Sequence, residues 1–254
     1  MKDWDVKIYR GILTGFNEAF IIDTATKDKL IADSPKAAEI IRPILLGKDI
    51  KRYSFEWNGW WLINSHNGIR NKDIPRVDVE KDYPVIFEYL KQFQTKLEKR
   101  LDKGEHWTNL RNCAYLEDFD KPKIAWGNLA LRSQFCIIPK NYFINAPSPF
   151  FTSDNYYILA VLNSTLGNYY IKQLGVSRSG GYTEYKPMYV EKLPIPVIGD
   201  KTAFMFKEMV LKVIEMKEQN IDTEDQEALI NKKIFEIYGI TDQEAKFMLD
   251  RDLA

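Results

Sequence analysis

The chain has 254 residues, of which 45% are apolar and 28% are charged, and its formal net charge is zero. This composition is ordinary for a soluble globular protein with one large domain or two modest ones. The apolar runs are too short to span a membrane, and the first residues lack the apolar core of a secretory signal. Cys113 and Cys136 fit free thiols in a reducing cytoplasm better than a disulfide framework.

Charge is distributed unevenly along the chain. Residues 199–254 carry eight Lys or Arg and thirteen Asp or Glu, whereas the other residues carry 28 and 23. A basic body beside an acidic segment suggests different partners for the two. Two solvent-exposed surfaces, one mildly basic and one acidic, explain the same numbers without any partner. The charge distribution therefore permits nucleic-acid binding but does not require it.

The first part of the chain predicts two hairpins with a helix between them. Residues 6–23 alternate short β-rich runs around two glycines, which predicts a hairpin. Ser34 as N-cap, Pro35 at the first helical position and Gly47 at the end predict a helix. Asn58-Gly59 separates the runs RYSFEW and WWLIN, and this dipeptide favours the tight turn of a second hairpin.

The middle of the chain predicts helices and strands in turn. Apolar residues at helical spacing predict an amphipathic helix over residues 84–103. Three strands are expected in KPKIAWGN, SQFCIIP and NYFIN, and a long apolar helix over residues 154–175. These elements predict an α+β fold, with a mixed β-sheet and inserted helices.

The C-terminal part predicts further helices. Residues 201–219 and 224–238 are amphipathic, and Thr223 and Thr241 each fit a capping box. We place a boundary near Gly199, between a body of residues 1–198 and a helical segment of residues 199–254.

Residues 178–196, RSGGYTEYKPMYVEKLPIP, join a basic glycine-containing loop to a segment with three prolines. Gly180 and Gly181 can adopt backbone angles that other residues avoid, while proline fixes its own. The combination is typical of a surface that meets a partner closely. The alternative is that the glycines only make a tight turn.

Signals of catalysis are weak. No phosphate-binding loop, dinucleotide fingerprint or zinc-ligand spacing occurs, so no metal site is predicted. His106 and Cys113 lack a third member for nucleophilic catalysis. Glu184-Tyr185-Lys186 matches the second half of a metal-dependent nuclease signature, but the earlier acidic ligand that such a site requires is missing.

Basic, amide and aromatic residues recur together in several loops, which indicates a binding surface. Arg and Lys neutralise phosphates, while Asn, Gln and Arg can pair with base edges. For the Trp residues core packing is the simpler explanation, and for each Arg a solvated surface is the alternative. The predicted DNA-binding residues are Lys48, Lys51, Arg52, Asn64, His66, Asn67, Arg70, Asn109, Arg111, Asn128, Arg132, Ser133, Gln134, Arg178, Ser179, Tyr182 and Lys186.

Several segments together resemble one family. These are YRGILTGFNEAFIID, EIIRPILLGKDIKRY, WTNLRNCAYLEDFDKPKIAW, SPFFTSDNYYILAVLNSTLGNYY, YKPMYVEKLPIP and INKKIFEIYGIT. In this order they resemble the TaqI-like C-terminal specificity domain of type II restriction-modification enzymes and related adenine DNA methyltransferases. The resemblance covers nearly the whole chain.

The resemblance implies a target-recognition module for duplex DNA. In that family a separate methyltransferase domain binds S-adenosylmethionine and flips the adenine, and some members add a nuclease, for which Mg²⁺ is expected. The Asn-Pro-Pro-Tyr-type catalytic motif and the cofactor motif are absent here, so no cofactor and no catalysis are expected of this chain alone. The helical segment is expected to pack on the body or on the methyltransferase domain of the parent.

Two other functions remain open at this stage. Trp, Tyr and Arg also dominate protein–protein hot spots, so a protein-interaction module is the alternative from another class. A specificity subunit of a type I system is a further possibility, although such subunits usually carry two recognition domains.

Overall fold

The computed structural model describes residue 1 and residues 4–252. The strands are β1 Tyr9–Arg10, β2 Ile21–Ile22, β3 Ile41–Leu45, β4 Trp61–Ile63, β5 Lys123–Trp126, β6 Leu129–Ala130, β7 Phe135–Ile138, β8 Phe143–Ile144, β9 Pro149–Thr152 and β10 Thr183–Glu184. The α-helices are α1 Asn17–Phe20, α2 Thr24–Asp33, α3 Val79–Asp82, α4 Pro84–Lys91, α5 Gln94–Glu98, α6 Tyr156–Asn163, α7 Thr165–Leu174, α8 Pro187–Val190, α9 Asp200–Glu218, α10 Glu224–Tyr238 and α11 Asp242–Asp252. The α+β fold class and the C-terminal helical segment are confirmed.

A central antiparallel sheet separates two apolar cores. Its strand order is β1-β9-β5-β7, and β5 pairs with β7 so that Trp126 faces Phe135. Ala125 and Cys136 point to the first core, whereas Ile124, Trp126 and Phe135 point to the second. Successive strand residues alternate between faces, so burial on both sides makes these strands almost entirely apolar.

The first core lies between the central sheet and the N-terminal half of the chain. A second sheet with the order β2-β4-β3-β8 contributes to it, and its β3–β8 pair is parallel. Helices α2 and α4 supply the buried Leu30, Ile86 and Leu90. The predicted strands in KPKIAWGN, SQFCIIP and NYFIN correspond to β5, β7 and β8.

The second core joins the central sheet to the C-terminal helices. Buried residues of α9 and α10, such as Phe206 and Ile234, belong to the same apolar cluster as Trp126. Helix α9 packs on α6, where the rings of Tyr157 and Phe206 lie 5.0 Å apart, and α11 packs on α7. The cluster is thus continuous across the boundary placed near Gly199, and the division into two domains stays a prediction.

Two helix predictions hold for the C-terminal segment almost to the residue, since α9 and α10 cover residues 200–218 and 224–238. At the start of α11 the backbone amide of Thr241 donates to Glu244, and the amide of Glu244 donates to the Thr241 hydroxyl. This is the reciprocal pattern of a capping box. Thr223 lies at the start of α10 but its hydroxyl donates to Glu227, so the predicted box at Thr223 is not formed.

The hairpin predicted around Asn58-Gly59 does not exist. Gly59 has a φ of +73°, as a tight turn requires, yet β4 pairs with β2 and β3 rather than with residues 52–57. The amide of Tyr53 donates to Phe135, and the Asn58 side chain donates to Asp49. Pairing with distant strands has therefore overridden the local turn signal.

Two further N-terminal predictions are wrong. Instead of a hairpin, residues 6–23 contain β1, α1 and β2, and the two strands pair with β9 and β4. The helix predicted from Pro35 begins correctly but forms only a 3-10 helix, Pro35–Ile40, before β3. Pro43 explains the early end, because its ring would clash with the carbonyl one helical turn earlier.

Two predicted long helices are each divided in the structure. The helix predicted over residues 84–103 is formed as α4 and α5, with Phe93 in a non-helical conformation between them, and it ends at Glu98. Residues 154–175 form α6 and α7, and Ser164 lies between them with extended angles. The Ser164 hydroxyl accepts a hydrogen bond from the amide of Gly167 at 2.9 Å, so this residue caps α7.

Lys123 is a buried cation at the start of β5. Its ammonium group donates to the carbonyl oxygens of Pro139 and Tyr142 at 3.1 and 3.2 Å, and its side chain is fully buried. Burial lowers the pKa of this ammonium group to about 8. In an unfolded chain it would titrate near 10.5, so between these values the unfolded state binds more protons.

The free energy of unfolding should therefore rise with pH through this window. Relative to a Lys123→Met variant, the free energy of unfolding of the wild-type chain should increase by about 2 kcal/mol between pH 7 and about 9.5. Denaturant unfolding of both proteins at each pH measures the difference. Parallel pH profiles for the two proteins would show that Lys123 keeps an ordinary pKa.

Candidate nucleic-acid interface

A small three-stranded ribbon carries several of the predicted DNA-binding residues. We use the name ribbon for residues 128–130, 176–178 and 182–185. β10 pairs antiparallel with β6 on one side, and on the other Ser177 forms a β-bridge with Thr183. The amide of Tyr185 donates to Asn128, which extends the pairing with β6.

The two consecutive glycines make the turn of this ribbon. Gly180 and Gly181 have φ values of +74° and +78°, and the amide of Arg178 donates to the Tyr182 carbonyl at 2.7 Å across the turn. A Cβ atom at either glycine would meet only ordinary contacts. Positive φ, rather than lack of space, is therefore what requires glycine at these positions. This geometry favours the tight-turn explanation of the glycine pair.

Glu184 holds the two cations of the ribbon. Its carboxylate accepts from the Arg178 guanidinium, with Nε at 2.8 Å, and forms an ion pair with Lys186 at 2.6 Å. Hydrogen bonds from Lys186 and Arg178 lower the pKa of Glu184. Arg178 and Lys186 are thus fixed side by side, and Glu184, the carboxylate of the nuclease-like signature, is engaged by both.

Buried asparagines support the loop that follows β6. The Asn168 side-chain oxygen accepts from the amide and hydroxyl of Ser133 at 2.9 and 3.1 Å, and also from the Tyr185 hydroxyl. The Asn163 side chain pairs with both backbone groups of Phe135. Residues 131–134, which we call the reading loop, are therefore tied at their end to helices α6 and α7.

Arg132 projects from the reading loop and is exposed, whereas Gln134 is half-buried. Asn128, at the edge of the ribbon, is also half-buried, and Ser179 and Tyr182 are exposed at the turn. The loop backbone is fixed by the asparagine contacts, so the exposed Arg132 side chain is displayed from a rigid base.

Apolar side chains are exposed beside these cations. Leu129 and Leu131 are 50% and 52% exposed, and Tyr182 and Met188 are also exposed. Exposed apolar patches rimmed by polar groups commonly mark interaction sites. The ribbon and the reading loop together are therefore the surface best suited to a partner. We call this set, with Arg132, Arg178 and Lys186, the ribbon surface.

Lys48 and Lys51 lie near the base of the ribbon. Gly47, which precedes Lys48, approaches Gly127 closely, because a Cβ atom at Gly127 would lie 3.2 Å from the Gly47 carbonyl oxygen. Lys48 is exposed, and the Lys51 ammonium group donates to the Lys48 carbonyl at 2.8 Å. Both lysines can therefore add positive charge to the ribbon surface.

Arg52 does not belong to this surface, although the sequence predicts it to be a DNA-binding residue. Its guanidinium points inward, pairs with Glu227 of α10 and donates to the Asn163 carbonyl. Burial opposes ionisation of Glu227, but Arg52, Thr223 and Lys217 outweigh it and lower the pKa of this carboxyl. Arg52 is thus engaged inside the protein.

A second group of predicted residues surrounds a separate groove of about 840 Å³. Asn67, Arg70 and Arg111 line it, and the Asn67 side chain donates to the Leu110 carbonyl. Arg70 and Arg111 form ion pairs with Glu105 and Asp102. The two acidic partners offset only part of the positive charge of the groove, because Arg10 lines it as well.

Burial places other predicted residues out of reach of a ligand. Asn109 and Ser133 are completely buried, and Asn109 donates to the carbonyls of Ser65 and Val77. The His66 ring accepts from the amide of Gly68, and burial lowers its pKa. The Asn64 side-chain oxygen is buried without a hydrogen-bond partner among the described residues. In this conformation Asn109 and Ser133 cannot touch DNA through their side chains, because both side chains are fully buried and hydrogen-bonded within the protein.

Sequence reasoning missed the residues that organise the ribbon surface. From the sequence, Glu184 indicates only a nuclease-like carboxylate, and Asn163 and Asn168 belong to a predicted apolar helix. The available signal was the presence of two amides in a run of otherwise apolar residues, since buried amides require internal partners. The tryptophans near residue 60 behave as expected for packing, since Trp57 and Trp61 lie edge to face at 4.9 Å against the first core.

The family of the chain is shown by sequence comparison. A family model described as the TaqI-like C-terminal specificity domain matches residues 42–195, which is more than half of the chain. The chain therefore belongs to this family, as its motifs indicate, and this membership supports a DNA-recognition role in restriction-modification. No curated protein is significantly similar to it in sequence.

Two solved structures share the fold. The type IIL restriction-modification enzyme MmeI, solved in complex with DNA, matches with a TM-score of 0.69 and 11% identity, over 96% of this chain and 36% of that chain. The type IIG restriction endonuclease BpuSI matches with a TM-score of 0.52 and 14% identity, over 92% of this chain and 31% of that one. The chain thus spans about a third of each enzyme.

Within residues 1 and 4–252, no helix is both long enough and apolar enough to cross a bilayer.

Proposed function

We propose that the chain is the DNA target-recognition module of a type II restriction-modification enzyme, and that it contacts duplex DNA through the ribbon surface. The observation that carries the proposal is the ribbon itself. It fixes Arg178 and Lys186 side by side and displays Arg132 from a rigid loop, in a chain that belongs to a specificity-domain family.

The two kinds of cation have different roles in this proposal. Arg178 and Lys186 contact phosphates, which position the protein without carrying sequence information. Arg132 with Gln134 and Asn128 contacts base edges, because guanidinium and amide groups can form paired hydrogen bonds there. Lys48, Lys51, Ser179 and Tyr182 contribute further contacts around the same surface.

Catalysis belongs to the parent protein in this proposal. An adenine-specific methyltransferase domain there would bind S-adenosylmethionine, and Mg²⁺ would be required if a nuclease domain is also present. The chain would act in the cytoplasm, with duplex DNA and that methyltransferase domain as its partners.

Binding of the chain to duplex DNA should be weak and strongly dependent on salt. With three to five phosphate contacts, log–log plots of affinity against salt should have a slope of about −3 to −5. Fluorescence anisotropy with a labelled duplex of random sequence, at several salt concentrations, measures this slope. Absence of binding at low salt, or affinity that does not change with salt, would contradict the proposal.

A protein-interaction module remains the second candidate, because Leu129, Leu131 and Met188 are exposed. Apolar contacts of this kind would give binding that salt leaves nearly unchanged. The same titration therefore distinguishes the two functions.

A further inference from the structure

Arg52 connects three parts of the protein that are distant in sequence. Its guanidinium forms an ion pair with Glu227 of α10, donates to the Asn163 carbonyl at the end of α6, and makes a longer contact of 3.4 Å with the Ser133 carbonyl of the reading loop. Both side chains of the ion pair are almost fully buried, with exposed fractions of 11% and 12%.

The backbone next to Arg52 is anchored at the same place. Tyr53 is buried and has a φ of +64°, and its amide donates to the Phe135 carbonyl at 2.9 Å. The Asn163 side chain donates to that same carbonyl. Arg52 thus contacts the end of the reading loop at Ser133, which Asn168 also holds, while Asn163 holds the adjacent Phe135.

Only an arginine can make this set of contacts at once. Its guanidinium carries five donors in a rigid plane, so Nε can face a carboxylate while Nη1 faces two carbonyl oxygens. Glu227 compensates the buried charge, and its second oxygen is met by Thr223 at 2.9 Å and Lys217 at 3.3 Å. The carboxylate therefore belongs to a shared ionic network within the C-terminal helices.

We infer that Arg52 is a positioning residue, which holds the reading loop in place and couples its conformation to the docking of α10. The inference that this loop affects DNA sequence preference rests on the proposed function above. The coupling between Arg52, the reading loop and α10 does not rest on the proposed function, because it depends only on the contacts of Arg52 inside the chain. The C-terminal helices then influence recognition without touching DNA.

Hydrogen exchange of backbone amides tests the link directly. The amides of Ser133 and Phe135 donate to Asn168 and Asn163, so their protection reports the order of the loop. In Arg52→Met, protection of these two amides should fall by about tenfold. Arg52→Met leaves Glu227 with fewer partners and could unfold the protein for that reason alone. The double variant Arg52→Met/Glu227→Met removes both charges, and protection of the same two amides should also fall about tenfold in it.

Lys217→Met is the matched control. Lys217 shares Glu227 with Arg52 but forms no hydrogen bond or ion pair with the reading loop among the described residues, so protection of Ser133 and Phe135 should stay at the wild-type level. Unchanged protection of both amides in a folded Arg52 variant would overturn the inference, as would equal loss in the Lys217 control.

DNA binding supplies a second readout that separates positioning from direct contact. Replacing a phosphate-contacting cation should reduce the salt slope by about one. Arg52→Met should leave the slope for random-sequence duplex unchanged, and a slope reduced by about one would place Arg52 on the DNA instead. If the wild-type chain fails to bind DNA, the proposed function fails, and hydrogen exchange still decides whether Arg52 positions the loop.

Discussion

Replacing Phe206 by alanine should lower the free energy of unfolding by about 3–5 kcal/mol. The Phe206 side chain is fully buried and packs against Tyr157 in the second core, between α9 and α6. Truncation removes the ring from this contact and leaves a cavity that neighbouring side chains fill only in part. Since most domains are stable by only about 5–15 kcal/mol, this loss is a large share of the total.

Phe204 provides a matched control on the same helix. It is 64% exposed, so Phe204→Ala changes little buried surface and should alter stability by less than about 0.5 kcal/mol. Denaturant unfolding of the wild type and both variants, followed by circular dichroism, compares them under one condition. Equal effects at the two positions would mean that α9 does not pack on α6 as the structure shows.

The same packing bears on the predicted role of residues 199–254. Phe206, Val210, Val213 and Ile234 complete the second core, whose other wall is the sheet that supports the ribbon. Deleting these helices would therefore expose the apolar sides of α6 and α7 rather than remove an independent appendage. The apolar side chains of the segment are only partly occupied within the chain, because Phe204 and Leu229 remain exposed.

The helices were the most predictable part of the fold. Residues 200–218 and 224–238 show a regular apolar spacing, and the local capping signal of Thr241 and Glu244 marks the start of the next helix, α11. The information for such elements lies within a few residues of each position. The two cores could not be predicted in the same way, because they depend on which distant strands pair.

Strand pairing explains most of the wrong predictions. Gly59 has the backbone angle of a turn, but the residues that follow it pair with β2 and β3 instead of folding back on residues 52–57. Similarly, β1 and β2 are only two residues long and are stabilised by distant partners. Such short strands carry too little local pattern to be recognised alone.

The candidate site was predictable by residue type but not by orientation. Glu184 holds Arg178 and Lys186 side by side and Arg132 is exposed, whereas Arg52 has the same sequence character and points inward. What distinguishes Arg52 is Glu227, which lies far along the chain, and the carbonyl of Asn163. A guanidinium turns inward only where the fold supplies such partners, and spacing in the sequence does not reveal them.

Glu184 gives the ribbon surface a further property. It neutralises part of the charge of Arg178 and Lys186 while fixing their positions. Side chains held in place before binding lose less conformational entropy when they meet a phosphate. The carboxylate therefore reduces long-range attraction but orders the two cations, which would suit the DNA-recognition function proposed above.

Arg132→Ala should relax or change the DNA target at one base pair while leaving affinity for non-target DNA nearly unchanged. Arg132 is exposed on a loop whose backbone is fixed by Asn168, so its guanidinium can pair with a guanine edge. A good paired contact discriminates between bases by about 1–3 kcal/mol. Methylation by the intact restriction-modification enzyme, profiled over a randomised site library, measures the change.

Lys186→Ala should act differently from Arg132→Ala, because phosphate contacts carry no base identity. It should weaken binding to all sequences alike and reduce the salt slope by about one. Lys140→Ala serves as the control, since this exposed lysine follows the end of β7 opposite to the reading loop and should leave both measurements unchanged. If the Arg132→Ala target profile is identical to that of the wild type, the reading loop does not contact bases. If Lys140→Ala weakens binding as much as Lys186→Ala does, the DNA binds elsewhere on the protein.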